Sequence, residues 1–316
     1  MATETSVGGI DTSDGIRGTI GEFVNDHIVL VLLGPGLLLI GVIFVYPVAW
    51  MFYQSLFITA PGIPEAIFDP IYNYQKLFTS TQFPQYFGQT LFYATGSLAV
   101  SFTWGLGIAL AINHVKNNRA RAFYTTVILF SWALPIAVVA LMWDWVLIAK
   151  PFGLLNLIAT DLGITGPGET ISLMANQQLV LPTVTFVDAW LRMPFAMIVF
   201  LAGLQAIPQH MYDAAQVDGA TSFQKFRNIT LPYLRPYMAI VGLISWMFSF
   251  RAFSIIFPMT QGGPGTSTTV MSIWIYREGM VKLDFGFGSA IAAFLVAITV
   301  IMATFYVTVV LERIEE

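Results

Sequence analysis

The sequence predicts an all-α polytopic membrane protein with six transmembrane helices, and its composition and long apolar runs are the observations that predict it. Hydrophobic residues make up 56% of the 316 residues, charged residues only 10%, and the mean hydropathy is +0.73. A soluble domain usually carries about 25% charged residues. The apolar runs are continuous and lack the alternation of membrane strands, so we expect helices rather than a barrel.

Six stretches meet the length needed to cross about 30 Å of hydrocarbon, which is roughly 20 mostly apolar residues. They lie at 28–57, 87–112, 122–147, 179–204, 237–258 and 286–311. Gly105 and Gly107 in the second stretch, and Gly203 in the fourth, are expected to let neighbouring helices pack closely.

The first 27 residues differ from the rest of the chain because they are polar and contain a single basic residue, Arg17. A secretory signal needs a basic segment that leads directly into a short apolar one. We therefore expect a disordered cytoplasmic tail at 1–27 and a transmembrane domain over 28–316.

Basic residues predict the orientation of the helices through the positive-inside rule. With both termini in the cytoplasm, eight of the 14 Lys and Arg residues lie inside, four lie outside and two lie within helices. The cluster at 116–121 decides this choice, because the opposite orientation would place it outside. The polar loop at 205–236 is then cytoplasmic.

Several kinds of partner and chemistry are excluded by composition. The formal net charge is −4 and gives no basic field for nucleic acid. There is no cysteine, so disulfides and thiolate catalysis are excluded. The histidines His27, His114 and His210 lack metal-ligand spacing, and we predict no metal site.

The 205–236 loop is predicted to form two short helices that meet at a glycine. Residues 211–217 continue a first helix, and Gly219 suits the left-handed position just past its end. Thr221 and Gln224 have the spacing of a capping box that starts a second helix.

The second helix of the loop is expected to stop at Pro232 and Pro236, which lead the chain back into the membrane. From the local pattern alone, an ordinary connection between membrane helices and a coupling element both remain open. A helix-turn-helix reader of DNA is disfavoured because both ends of the loop are tied to the bilayer.

The centre of the loop resembles the signature cytoplasmic loop of binding-protein-dependent ABC importer permeases. That consensus runs Glu-Ala-Ala, three residues, Gly, about nine residues, then a segment like Ile-x-Leu-Pro. Here it corresponds to Asp213-Ala214-Ala215, to Gly219 at the matching spacing, and to 229–232. The chain departs from the pattern in Asp213, where glutamate is usual. The resemblance implies the type I ABC importer permease architecture and docking onto an ATPase through Asp213, Ala214, Ala215, Asp218, Gly219 and Ala220.

Nearly the whole chain after the tail resembles the sugar-importer branch of this family, in particular the maltose-type first permease subunit. The resemblance implies a second, different permease subunit, two ATPase subunits and an extracytoplasmic binding protein. It places the chain in the cell membrane as a carbohydrate permease for a disaccharide, oligosaccharide or related polyol. Glycerol phosphate or another small polar solute is the alternative.

Energy for transport must come from a separate subunit. The chain has no phosphate-binding loop that ends in Gly-Lys-Ser or Gly-Lys-Thr. We therefore expect no enzymatic activity and no cofactor in this chain, with ATP and Mg²⁺ bound by the partner ATPase.

One face of the fourth predicted helix carries the sharpest candidates for a translocation path. Asp188, Leu191, Arg192 and Phe195 follow an i, i+3, i+4, i+7 spacing and share that face. A charged side chain within a membrane helix costs about 2.5–3.5 kcal/mol on the insertion scale, which makes each one a functional candidate. The alternative is a structural ion pair between Asp188 and Arg192.

The resemblance carries sugar contacts onto this same stripe and onto two other helices. The matching positions are Asp188, Leu191, Arg192, Phe195, Trp132, Ser245 and Ser249. Maltose permeases have uncharged residues at the matches of Asp188 and Arg192, so a different substrate is expected. The side chain of Arg251 is expected to extend to the membrane interface. A gate or a contact with the translocation path is the alternative role for this residue.

Two other classes of function compete with a permease. One is a channel or membrane anchor that works without ATP, and the other is an intramembrane enzyme. The enzyme is disfavoured because the motifs His-Glu-x-x-His and Gly-x-Ser-x-Gly are absent, as are paired aspartates within the predicted helices.

Overall fold

The computed structural model describes residues 28–59, 61–62, 65–166 and 168–308. The predicted tail at 1–27 and the end of the last predicted helix, beyond residue 308, lie outside these residues. The chain divides into two units, Met1–Gln54 and Ser55–Glu316, and each is described by itself.

The first unit is one long helix made of α1 (Ile28–Ile40), a π-helical turn (Gly41–Val45) and α2 (Tyr46–Gln54). Its segment Leu32–Gln54 is long and apolar enough to cross a membrane, and none of its most apolar 18-residue stretch is buried among the described residues. A helix that is apolar all round needs lipid or protein around it. This agrees with the first predicted membrane helix.

The second unit begins with a two-stranded antiparallel ribbon of β1 (Phe57–Ile58) and β2 (Ile67–Phe68). The remaining elements are helices: α3 (Tyr72–Thr79), α4 (Phe83–Asn113), α5 (Asn118–Ala133), α6 (Ile136–Leu147), α7 (Leu154–Asp161), α8 (Val180–Gln205), α9 (Gln209–Val217), α10 (Ser222–Lys225), α11 (Leu231–Phe250), α12 (Ile256–Thr260), α13 (Met271–Tyr276) and α14 (Phe285–Tyr306). Two π-helical turns, Phe226–Thr230 and Arg277–Val281, precede α11 and follow α13.

The core of the second unit forms where α4, α8 and α11 pack together, and glycines permit the close approach. A Cβ added at Gly105 would lie 2.6 Å from the Cβ of Ala196, and one added at Gly203 would lie 2.7 Å from Leu234. The predicted packing role is thus confirmed for both residues. Gly107 is different, because an added Cβ there would meet nothing within 4 Å.

The third predicted membrane helix, 122–147, is not one straight helix. It is divided into α5 and α6, which are bent by 95° relative to each other. Leu134 and Pro135 at the break have extended backbone, with ψ of 141° and 131°. Proline has no N–H for the helix ladder and pushes the preceding residue out of helical geometry, which explains the break.

The fifth predicted membrane helix, 237–258, has different ends in the structure. Helix α11 covers Leu231–Phe250, and the separate short helix α12 begins only at Ile256. The expectation that Pro232 and Pro236 stop a helix was wrong. Pro232 lies in the first turn of α11, where a missing N–H costs little, and the preceding turn is π-helical, with Leu231 N–H donating to Phe226 O.

The predicted count of six membrane helices fits the structure. Among the described residues, four helices are long and apolar enough to span a membrane, and α5 with α6 makes a fifth if the bent pair counts as one span. Helix α11, at the place of the fifth predicted membrane helix, is not in this set; its first two turns carry Arg235 and two prolines.

We predict that Gly105→Ala destabilises the protein by about 1–3 kcal/mol, because the new methyl group overlaps Ala196 on α8. The measurement is the thermal unfolding midpoint of the purified protein in detergent. Gly107→Ala is the matched control, since the same methyl group on the same helix has open space. Equal midpoints for the two variants would contradict the packing role of Gly105.

Candidate functional site

A buried carboxylate joins the three central helices of the second unit. Asp188 on α8 is fully buried, and its Oδ2 accepts hydrogen bonds from Ser97 Oγ on α4 at 2.5 Å and from Ser249 Oγ on α11 at 2.8 Å. The same oxygen accepts from Arg192 Nε at 2.7 Å. We call Asp188, Ser97, Ser249 and Arg192 the carboxylate node.

Three polar atoms beside or near the node lack hydrogen bonds among the described residues. They are Asp188 Oδ1, the Tyr93 hydroxyl and Ser245 Oγ, and all three are buried. Tyr93 interacts with the Asp188 carboxylate. A buried polar atom left unpaired costs about 1–3 kcal/mol, so a polar group in the cavity beside Ser245 would gain a hydrogen-bond partner.

A cavity of about 260 Å³ adjoins the node, and we call it the membrane cavity. Its walls come from α5, α6, α8 and α11 and from the break between α5 and α6. The lining residues are Trp132, Leu134, Ile136, Leu191, Arg192, Phe195, Ser245 and Phe248.

The membrane cavity brings together five of the seven predicted path residues: Trp132, Leu191, Arg192, Phe195 and Ser245. The other two, Asp188 and Ser249, are not among its lining residues and lie behind the wall, where Asp188 holds Arg192. Asp188 is a structural link between helices, while Arg192 faces the cavity.

Aromatic rings and one guanidinium dominate the chemistry of the cavity wall. The rings of Trp132 and Phe195 lie with their centroids 6.2 Å apart. The Arg192 side chain is 17% exposed, and its Cζ lies 5.5 Å from the centre of the Phe248 ring. Aromatic faces beside hydroxyl and guanidinium groups suit a solute with apolar ring faces and polar edges.

Sequence reasoning missed several residues of this site. Ser97 lies 91 positions before Asp188, and no local spacing connects them. Leu134 and Ile136 line the cavity because they flank the break at Pro135. Phe248 carries one recognisable signal, since it lies three residues after Ser245 and directly before Ser249.

The 205–236 loop forms the predicted pair of helices. Helix α9 ends at Val217, and Gly219 adopts a left-handed backbone with φ of +77°. The capping box is present, with Thr221 N–H donating to Gln224 Oε1 at 2.7 Å and Gln224 N–H donating to Thr221 Oγ1 at 3.3 Å. The end of the first helix, the left-handed glycine and the capping box predicted for this loop are confirmed, whereas the predicted stop at Pro232 and Pro236 is not.

One face of the loop is packed and the other is open. Tyr212 hydrogen-bonds Thr230 at 2.8 Å, and Tyr212 and Ala215 contact a core cluster of the membrane helices. The open side carries Val217 and Phe223, which are 89% and 70% exposed. Of the six predicted docking residues, Asp213, Ala214, Asp218 and Gly219 are exposed, whereas Ala215 and Ala220 are half-buried.

A bundle of membrane helices around a mainly apolar cavity that carries one guanidinium and one hydroxyl, with an exposed helix–glycine–helix loop, suits a transport permease. Residues 103–315 match the family described as binding-protein-dependent transport system inner membrane component, and the chain belongs to this family. It is a multi-pass membrane protein and a permease of the ABC importer type. This membership favours a permease over a channel, a membrane anchor or an intramembrane enzyme.

The chain is similar to permeases along most of its length. It is 31% identical to the trehalose/maltose transport system permease protein MalF of Thermococcus litoralis, over 82% of this chain and 85% of that one. It is 30% identical to the sulfoquinovosyl glycerol transport system permease protein SmoG of Agrobacterium fabrum, over 89% of each chain. The diacetylchitobiose uptake system permease protein DasB of Streptomyces coelicolor is 26% identical, over 77% of this chain and 74% of that one.

A solved structure has the same fold. It is a bacterial ABC transporter involved in the import of the acidic polysaccharide alginate. The TM-score is 0.76 and the sequence identity 23%, with 91% of this chain and 96% of that one covered. The type I importer architecture predicted from the sequence is thus confirmed.

We predict that Asp188→Ala destabilises the protein by about 3–5 kcal/mol, because it leaves the Arg192 charge without its buried partner. The double variant Asp188→Asn with Arg192→Gln should recover most of this loss, since it removes both charges and keeps an acceptor for the two serines. Chemical unfolding of the purified protein measures both. A double variant as unstable as Asp188→Ala would contradict the role of charge pairing.

Proposed function

We propose that this chain is the transmembrane permease subunit of an ATP-driven importer for carbohydrates such as disaccharides, oligosaccharides or related polyols. The wall of the membrane cavity carries the proposal: Trp132 and Phe195 offer ring faces, and Ser245 and Arg192 offer polar groups. The three permease relatives, whose names each give a saccharide or a saccharide derivative as the solute, add support.

The 205–236 loop is the docking surface for an ATPase subunit in this proposal. Its contact residues are Asp213, Ala214, Ala215, Asp218, Gly219 and Ala220. Val217 and Phe223 support this role, because these two large apolar side chains of the loop are exposed. The partner ATPase subunits bind ATP and Mg²⁺, and the chain itself is neither an enzyme nor a binder of cofactors.

A second permease subunit, different from this one, completes the translocation path. The membrane cavity has about 260 Å³, below the roughly 300–1,000 Å³ usual for small-molecule sites, so one chain offers a partial site for a disaccharide. An extracytoplasmic binding protein delivers the solute. In this arrangement both termini and the 1–27 tail lie in the cytoplasm, as the basic residues predict.

Transport follows from the connection between the loop and the cavity. When ATP closes the two ATPase subunits, the docked helix α9 moves as a rigid body. Helices α8 and α11 move with it, because α8 ends at the start of the loop and α11 begins near its end. The membrane cavity then changes its access from one side of the membrane to the other. A ligand bound elsewhere thus shifts a two-state equilibrium in the permease.

We predict that Val217→Asp lowers the amount of ATPase subunit that co-purifies with the permease by at least about tenfold, because a charge replaces an apolar contact at the docking surface. Val281→Asp is the matched control, as this valine is also exposed but lies after α13, far along the chain from the loop. Unchanged co-purification in Val217→Asp would contradict docking at this surface.

We predict that Trp132→Ala raises the half-saturating saccharide concentration for uptake by about 3- to 10-fold, because it removes a ring face from the cavity wall. Uptake of labelled saccharides by vesicles that contain the whole transporter measures it. Trp145→Ala provides the control, since Trp145 is comparably exposed and does not line the cavity. If both tryptophan variants behave alike, the cavity is not the saccharide path.

A further inference from the structure

We propose that the transported carbohydrate carries an anionic substituent, such as a carboxylate, sulfonate or phosphate, and that Arg192 with Arg251 selects for it. This inference rests on the proposed function and deepens it by naming the class of substrate. It depends on how the carboxylate node holds Arg192 and on the surplus of positive charge at one side of the membrane cavity.

The node fixes Arg192 by one nitrogen only. Nε donates to Asp188 Oδ2 at 2.7 Å, and no other hydrogen bond of this guanidinium occurs among the described residues. Arg192 itself lines the membrane cavity. A guanidinium has five N–H donors, and the four on the terminal nitrogens match the two oxygens of an anionic group in a forked geometry.

Asp188 does not compete with a solute for these donors. It is fully buried, it is absent from the cavity wall, and its Oδ2 is already shared among Arg192, Ser97 and Ser249. The carboxylate therefore lies behind the guanidinium and keeps it in place. The positive end of this ion pair points to the cavity side, and the negative end points to the helix core.

A second cation lies near the same wall. The Cζ of Arg251, at the end of α11, is 5.8 Å from the centre of the Phe248 ring, and the Cζ of Arg192 is 5.5 Å from that centre. Arg251 has no ion pair among the described residues. Arg251 is exposed and does not itself line the cavity, but both guanidiniums lie beside the Phe248 ring and only Arg192 has a carboxylate partner, so one positive charge beside this ring is unbalanced.

A neutral saccharide does not require this arrangement. Serine, asparagine and aromatic residues recognise hydroxyl groups without the cost of placing charge inside a membrane. A helix-to-helix link does not require it either, because Ser97 and Ser249 already connect α4 and α11 to Asp188. An anionic group on the solute is the partner that uses both the free guanidinium nitrogens and the unbalanced charge.

The test compares uptake of matched saccharides by the complete transporter in proteoliposomes. The probes are neutral mono-, di- and trisaccharides and the same saccharides with one ring oxidised to the uronic acid. The variants are Arg251→Gln and the double variant Asp188→Asn with Arg192→Gln, which keeps the node neutral. Arg119→Gln is the matched control, since Arg119 is exposed at the start of α5 and away from the cavity.

We expect the wild type to transport uronic acids in preference to their neutral counterparts. The double variant should lower uptake of the acidic probes about 10- to 100-fold and change uptake of the neutral ones less than about threefold, because a charge-assisted forked contact is lost. Arg251→Gln should lower acidic uptake about 3- to 10-fold. The binding protein is the same in every comparison, so its own selectivity cancels in the ratio of variant to wild type.

Three results would overturn the inference, and one of them separates it from the proposed function. Equal transport of neutral and acidic probes by the wild type shows that saccharides are carried without charge selection. Unchanged acidic uptake in both variants shows that the selection lies outside these arginines. If no saccharide of either kind is transported, the carbohydrate function itself fails, and the inference fails with it.

Discussion

The buried carboxylate of Asp188 is the interaction on which the rest of the second unit depends. A single oxygen accepts hydrogen bonds from α4 and α11 and from the next turn of its own helix α8. In the interior of a membrane protein such a bond has little competition from water, so one carboxylate sets the relative positions of three helices. The wall of the membrane cavity is built on those positions.

The same link bears on how movement reaches the cavity. Helix α8 enters the 205–236 loop at its end, and α11 leaves that loop at its start. Asp188 lies 17 residues before the end of α8 and Ser249 lies 18 residues after the start of α11, so they are about 26 Å and about 27 Å from those helix ends at about 1.5 Å per residue. Helices α8 and α11 are thus connected twice, by the loop at one end and by the hydrogen bond between Asp188 and Ser249 near the other. A displacement of the loop therefore acts on both cavity-lining helices together.

Local sequence signals predicted many of the secondary-structure elements but not how the helices pack against one another. The glycine at 219 and the capping box at Thr221 are local signals, and the structure agrees with both, whereas the apolar run at 122–147 is divided into two helices. The contact between Ser97 and Asp188 joins distant parts of the chain and has no local signal. The prediction that Pro232 stops a helix was wrong, because a proline ends a helix in its interior but is tolerated in its first turn.

The break at Pro135 has a consequence for the evolution of selectivity. In an unbroken helix the carbonyl of Ser131 would accept the N–H of residue 135, and proline has none. Trp132, Leu134 and Ile136 around the break all line the membrane cavity, so the position of the break determines which side chains form this part of the wall. Side-chain substitutions at these positions can change which solute is preferred, whereas the break itself is kept as long as Pro135 is present.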